Sequence, residues 1–311
     1  MAALITIFST PKPFTNPHIR VIQENAITSW LHLGQDVNAL LIGEEEGVAR
    51  AVKKCGIRWI RDVARNSSGT PLISSIFKAA RENSTTPLLA YVNADILLTP
   101  GFLLAIRQVI PQVDEFLMIG RRWDLEISQP LVFSKNWVHQ VETRVANEAK
   151  LHPAGGSDYF VYPRDCFTAI PELAIGRAGW DNWMIYHARR QNWPVVDATP
   201  TYKVIHQQHD YSHLPGGQPH YRHPESAENV RLAGGRHAIF TLADANRQLK
   251  DGKLVKPPLS WKRFWREVEI IPTTILKAEW LSRMNQALFH PVRTYWSVRV
   301  WLSHKRRELK R

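Results

Sequence analysis

A chain of 311 residues with 44% hydrophobic and 22% charged residues can bury the core of one α/β domain with an appendage. Its formal charge of +12 is concentrated at one end, since Lys250 to Arg311 holds 15 Lys and Arg against 5 Asp and Glu; this argues against a basic catalytic body built for nucleic acid and for attachment of the tail to an anionic surface. Cys55 and Cys166 are too few for a disulfide framework or a thiolate zinc site, no apolar run approaches the ~20 residues of a membrane span, and the first residues lack the basic start of a secretory signal, so a cytoplasmic protein is expected.

LITIFST, Leu4 to Thr10, is apolar and β-prone and stops at Pro11 and Pro13, which predicts a strand followed by a loop. Ile19, Ile22, Ala26, Ile27, Trp30 and Leu33 then recur at helical spacing, with Asn16 and Pro17 as the helix start. A second strand over Val37 to Gly43, a short helix over Val48 to Lys54 and a third strand at IRWI follow, and this β, α, β order predicts parallel pairing. Glu44 to Glu46 after the second strand suit either an acidic first helical turn or a ribose hydroxyl. Arg61, Asp62, Arg65 and Asn66 precede Gly69, Thr70 and Pro71, read as a helix start whose free amides could meet a diphosphate; the glycine pattern and lysine of a P-loop are absent.

LLAYVNADILLTPGF, Leu88 to Phe102, is the central feature. An apolar run of this kind predicts a strand covered on both faces, and it breaks at Asn93, Ala94 and Asp95. Ligands of open α/β sheets collect at the carboxyl ends of strands, so Asp95 could hold a divalent cation or a sugar hydroxyl there; a turn held by local side-chain hydrogen bonds is the other reading. A helix is expected from about Gly101, then a further strand over Phe116 to Glu126 that runs into the polar Arg121, Arg122, Trp123 and Asp124. Trp123 suits stacking on a sugar ring or closure of the core. Ser134 to Ala149 reads as a surface helix, and DYFVYP, after Gly155, Gly156 and Ser157, as another strand.

In IGRAGWDNWMIYHARRQNWP, Trp180 and Asp181 stand at a helix start after a glycine loop. Asp181 can cap that helix or take a proton from an attacking hydroxyl. In TYKVIHQQHDYSH a strand ends near His206, and His209, Asp210 and His213 follow at a spacing that could surround a metal or be a scatter of surface histidines. The tail places Trp261, Trp265, Trp280, Trp296 and Trp301 among basic residues, with Pro272 and Pro291 read as helix starts; it can lie on an anionic membrane or pack on the domain.

The order of these features over Leu4 to about His213 resembles the GT-A class of nucleotide-sugar-dependent glycosyltransferases, family 2-like. The resemblance implies an α/β fold, GT-A (Rossmann-like), with a mostly parallel central sheet flanked by helices, occupying residues 1–235, and a basic Trp-rich helical extension over 236–311. It implies a D-x-D type motif at Asn93-Ala94-Asp95, with Asn93 replacing the first Asp. A base at Asp181 is implied, as is a metal site for Mn²⁺ or Mg²⁺ at Asp95, His206 and His209. Donor-binding residues would be Ser9, Thr10, Glu44, Arg65, Asn66, Asn93 and Asp95, and acceptor-binding residues Trp123, Gly155, Gly156, Ser157 and Trp180. The partners implied are a nucleotide-sugar donor and a glycan or lipid-linked acceptor, with the tail free to meet an anionic membrane at the cytoplasmic face and no specific nucleic acid expected. The alternatives are a non-catalytic sugar- or membrane-binding scaffold, which Asn93 favours, and a sugar nucleotidyltransferase, which IFSTPKPF disfavours because it lacks a glycine-rich loop. A metal-dependent hydrolase on the histidines is a third.

Overall fold

The computed structural model describes residues 3–209, 221, 223–292 and 295. The chain opens with β1 (Ile5–Ser9), α1 (Pro17–Leu31), β2 (Val37–Ile42), α2 (Val48–Cys55), β3 (Arg58–Ile60), α3 (Ile73–Glu82) and β4 (Leu88–Val92). β1 lies between β2 and β4 and runs parallel to both, and β3 pairs parallel to β2, as the alternation of strand and helix requires. Asn16 caps α1 by accepting hydrogen bonds from the amides of His18 and Ile19, with Pro17 in the first turn.

The second half adds β5 (Ile96–Leu97), α4 (Gly101–Val109), β6 (Leu117–Ile119), β7 (Arg122–Leu125), α5 (Trp137–Glu148), β8 (Lys150–Leu151), β9 (Tyr159–Pro163), α6 (Trp180–Arg190), β10 (Val195–Asp197) and β11 (Val204–Gln207). After it come α7 (Pro224–Leu232), β12 (Arg247–Lys250), β13 (Lys253–Val255), α8 (Trp261–Thr274) and α9 (Glu279–Phe289). Among the described residues, nine strands form the main sheet in the order β13-β12-β10-β6-β9-β4-β1-β2-β3, mostly parallel, with β9 and β13 antiparallel to their neighbours. One face packs on α1, α2 and α4 through Trp30, Ala51 and Ile106, and the other on α3 and α6 through Phe77 and Met184. β4 is buried throughout because it is covered on both faces. A smaller sheet, β5-β11-β7-β8, packs under α5.

Several local expectations change. The single strand expected over Phe116 to Glu126 is two, β6 and β7, in different sheets. The chain turns at Gly120, where a Cβ would lie 2.5 Å from the Tyr159 hydroxyl, so only glycine fits the crossing. Gly69 to Pro71 does not start α3. Asn66 instead accepts from the amides of Ser68 and Thr70, closing a turn that leads to Ile73. Pro272 lies inside α8 near its end rather than at a helix start. Two strands beyond residue 235, β12 and β13, complete the main sheet, and the helical part of the tail begins at Trp261.

Candidate active site

β4 ends at Val92 and β5 begins at Ile96 in the other sheet, so Asn93, Ala94 and Asp95 form the turn by which the chain leaves one sheet for the other. Asp95 is fixed there from behind. Its carbonyl accepts from the backbone and side-chain amides of Gln207 at 3.1 and 3.2 Å, and the fully buried Gln207 also bonds Asn25 and the Ile22 carbonyl on α1.

Among the described residues the buried Asp95 carboxylate meets three groups. Its Oδ2 is 3.1 Å from Lys12 Nζ, 3.0 Å from His209 Nε2 and 4.0 Å from His206 Nε2. Asp95, His206 and His209 thus each offer one ligand atom, all within 4.8 Å of one another. His206 is aimed by its other nitrogen, since Nδ1 sits 2.9 Å from Asp124 Oδ1. An ionised carboxylate only accepts, so Nδ1 donates to Asp124 and Nε2 is left facing Asp95. Burial raises the pKa of Asp124, but hydrogen bonds from His206 and His152 and the charge of Arg122 hold it well below the ordinary carboxylate range. Burial likewise works to raise Asp95, and is outweighed by the Lys12 ammonium, the His209 hydrogen bond and the charges of His206 and His209, which hold it well below its usual value.

Asp124 belongs to a chain of polar contacts along the edge of both sheets. Its Oδ1 accepts from Arg122 Nε and its Oδ2 lies 2.8 Å from His152 Nδ1, while Arg122 reaches Asp158 Oδ1 at 2.7 Å. Asp158 in turn accepts from the Asn93 side-chain amide at 2.9 Å. This contact gives Asn93 a reason: an aspartate here would set two carboxylates at hydrogen-bond distance.

Asp181 lies in the first turn of α6, half-buried. The cap position is Gly179, whose φ of 107° suits glycine, so Asp181 is not the cap. Burial pushes its pKa up to about 6 and the negative charge of Asp158 adds to the rise, while the Asn182 amide opposes it. α7 holds the loop before Asp181: Asn229 bonds the Ala174 backbone on both its N–H and C=O, Ser226 accepts from the Ala178 amide, and Glu225 pairs with Arg177 at 2.8 Å.

The remaining predicted residues divide. Ser9 Oγ, Thr10 Oγ1, Asp95 Oδ1 and Ser157 Oγ are buried without a hydrogen-bond partner among the described residues. Space is open around Gly155 and Gly156, where an added Cβ meets nothing within 4 Å. Arg65 pairs instead with Glu45 at 2.8 Å and Glu44 at 3.9 Å, and Asn66 donates to Glu225, so Glu44, Arg65 and Asn66 are not brought to Asp95 by any of these bonds.

Trp180 and Trp123 both pack against apolar clusters. Trp180 is a core residue, 6% exposed, with Tyr91 and Phe160 each 5.1 Å from its ring, which leaves no open face for a sugar. Trp123 alternates with Arg122 and Asp124 on β7, so its side chain points to the opposite face, where it packs half-buried against the small core under α5 with Lys203 over its ring. Asp210 and His213 lie outside the described residues.

Lys12 and His152 carry no expectation from the sequence, and Arg122, Asp124 and Asp158 stand in it only as polar residues next to Trp123 and Ser157. Lys12 had a signal, a cation between two prolines directly after a β strand; the others are ordinary polar residues until the two sheets meet.

No protein-family model matches the chain, and no curated protein sequence matches it. Among solved structures it is similar to S. aureus TarS 1–349 in complex with UDP-GlcNAc (12% identity, TM-score 0.48), over 75% of this chain and 65% of that one. It is also similar to glucosyl-3-phosphoglycerate synthase from Mycobacterium tuberculosis in complex with Mg²⁺ and UDP (10% identity, TM-score 0.46; 83% and 88% covered). A third is the mannosyltransferase PcManGT from Pyrobaculum calidifontis in complex with GDP-Man and Mn²⁺ (10% identity, TM-score 0.44; 75% and 64% covered). The chain spans slightly less than two thirds of the TarS and PcManGT chains. At such identities and scores the likeness assigns no activity.

Proposed function

We propose that this chain transfers a sugar from a nucleoside-diphosphate donor to a hydroxyl acceptor. The observation that supports this best is the meeting of Asp95, His206 and His209, with ligand atoms within 4.8 Å, at the carboxyl edge of a mostly parallel sheet. One carboxylate oxygen and two imidazole nitrogens, with Asp95 Oδ1 unpartnered beside them, fit a divalent cation such as Mn²⁺ or Mg²⁺. Such an ion, when bound, neutralises charge on a departing nucleoside diphosphate. Asn93 and the Ser9 and Thr10 hydroxyls would line the donor side; Gly155, Gly156 and Ser157 would leave room for the acceptor. Asp181 would take the proton of the attacking hydroxyl. A carboxyl pushed up to about 6 is ionised at neutral pH yet more basic than an ordinary one.

Asn93, on which the non-catalytic scaffold alternative draws, donates to Asp158 instead of offering a carboxylate, so the metal reading is carried by Asp95 and the two histidines. The test is a thermal-shift panel of UDP-GlcNAc, UDP-glucose and GDP-mannose with and without Mn²⁺, followed by assay of nucleoside-diphosphate release. A donor that binds the native state raises its melting temperature. No shift and no release with any donor would end this reading.

The tail joins the proposal as a membrane contact. α8 and α9 dock on the body through Arg189–Glu267, Arg266–Asp244 and the group of Arg190, His237 and Tyr186 around Glu279. Their outer side is apolar: Trp280, Met284 and Leu288 repeat every four residues along α9 and are 68, 59 and 73% exposed, and Trp261 on α8 is 74% exposed. Lys262, Lys277 and Arg283 are exposed on the same helical pair and its turn, so an anionic lipid surface is the partner that matches both properties. Trp296 and Trp301 lie outside the described residues, among which no helix is long and apolar enough to cross a membrane.

A further inference from the structure

Lys12 is held in place more firmly than a surface lysine. Pro11 and Pro13 restrict the backbone on either side of it. Its amide donates to Gln23 Oε1 at 2.6 Å and its carbonyl accepts from Gln23 Nε2 at 3.0 Å, and Gln23 is itself buried in α1. The strand β1 ends three residues earlier, so this clamp fixes the root of the side chain at the edge where Asp95 sits. From there the ammonium reaches two of the three candidate metal-ligand atoms, Asp95 Oδ2 at 3.1 Å and His209 Nε2 at 2.8 Å, which are 3.0 Å from each other.

We propose that Lys12 is the resident cation of this site, competing with divalent metal for the Asp95–His209 corner and supplying positive charge to a bound diphosphate when metal is absent. An ion that binds both atoms comes up against the ammonium, and like charges at contact repel in a partly buried setting. An ion held by Asp95 Oδ2 and His209 Nε2 therefore requires Lys12 to swing out, a cost that a neutral side chain would not carry. The second half of the proposal, the diphosphate, rests on the sugar-transfer reading; the competition does not.

The test is calorimetric titration of Mn²⁺ alone into the full chain and into Lys12→Met, with circular dichroism to verify folding and Lys12→Gln as a second variant. Coupling between two such charges is expected to make Mn²⁺ bind about tenfold or more tightly once the ammonium is gone. The gain should vanish in Lys12→Met/Asp95→Asn. Equal or weaker Mn²⁺ binding in the folded single variants would overturn the competition. UDP titrated in EDTA then addresses the diphosphate: the wild type should bind it, and Lys12→Met should lose about tenfold or more and recover with Mn²⁺. UDP affinity in EDTA that is unchanged by Lys12→Met would overturn that half. Tighter Mn²⁺ binding together with no UDP binding to any form would leave the competition standing and refute the sugar-transfer reading.

Discussion

His206 Nδ1 lies 2.9 Å from Asp124 Oδ1 across two adjacent parallel strands, and the two residues are register partners in the β11–β7 ladder. The pairing sets the tautomer and direction of His206 and leaves its Nε2 facing Asp95. Asp124→Asn should accordingly weaken Mn²⁺ binding by about 10- to 100-fold without unfolding the protein. Titration of Mn²⁺ against both proteins checks it, and unchanged affinity would deny Asp124 this positioning role.

Asp181→Asn should lower turnover by about 10² to 10⁴ while leaving UDP affinity near the wild-type value, because a base acts on the acceptor proton and not on the donor. Steady-state transfer rates and UDP calorimetry together separate the two effects. Full activity in the variant would remove Asp181 from the chemistry.

The pH dependence follows from the same carboxyl. Transfer should rise with pH through about 6 as Asp181 ionises, and level off above neutrality. Its effect on stability has the opposite sign. A carboxyl raised from 3.8 to about 6 on folding binds more protons in the native state, so its favourable contribution is full below 3.8 and is lost as pH rises to about 6. Asp181→Asn should therefore melt higher than wild type at pH 7.5 and lose that advantage near pH 4. A melting difference that is independent of pH would refute the assignment.

Trp180→Ala should cost about 3 to 5 kcal/mol in urea unfolding, as for a large core aromatic, and Trp180→Phe much less. An acceptor-stacking tryptophan would behave differently, changing acceptor KM with little loss of stability.

Trp280→Ser with Leu288→Ser should reduce flotation with anionic liposomes while leaving the melting temperature within a few degrees, since both side chains are exposed. Neutral liposomes and raised salt should weaken wild-type flotation as well, because screening acts on exposed Lys and Arg. Equal flotation of variant and wild type would exclude this face.

Local pattern alone determined the first half of the fold. Buried runs broken by Pro and Gly, helical spacing from Ile19 to Leu33 and the strand ending at Asn93 all depend on neighbours within a few residues, where propensity and periodicity act. The same holds for Asp95, because a carboxylate that interrupts an apolar run is visible without a partner. Tertiary structure alone decided what Asp95 touches. Lys12, His206 and His209 are brought to it from either side of the chain by the crossing from one sheet to the other, and no spacing rule carries contacts separated by so many residues. Trp123 and Trp180 make the converse point: both stand in polar or glycine-rich sequence, yet strand alternation sends one to the small core and Tyr91 and Phe160 enclose the other. Whether an aromatic ring meets a ligand or a core depends on which face is covered, and that is fixed only when the sheets and helices pack.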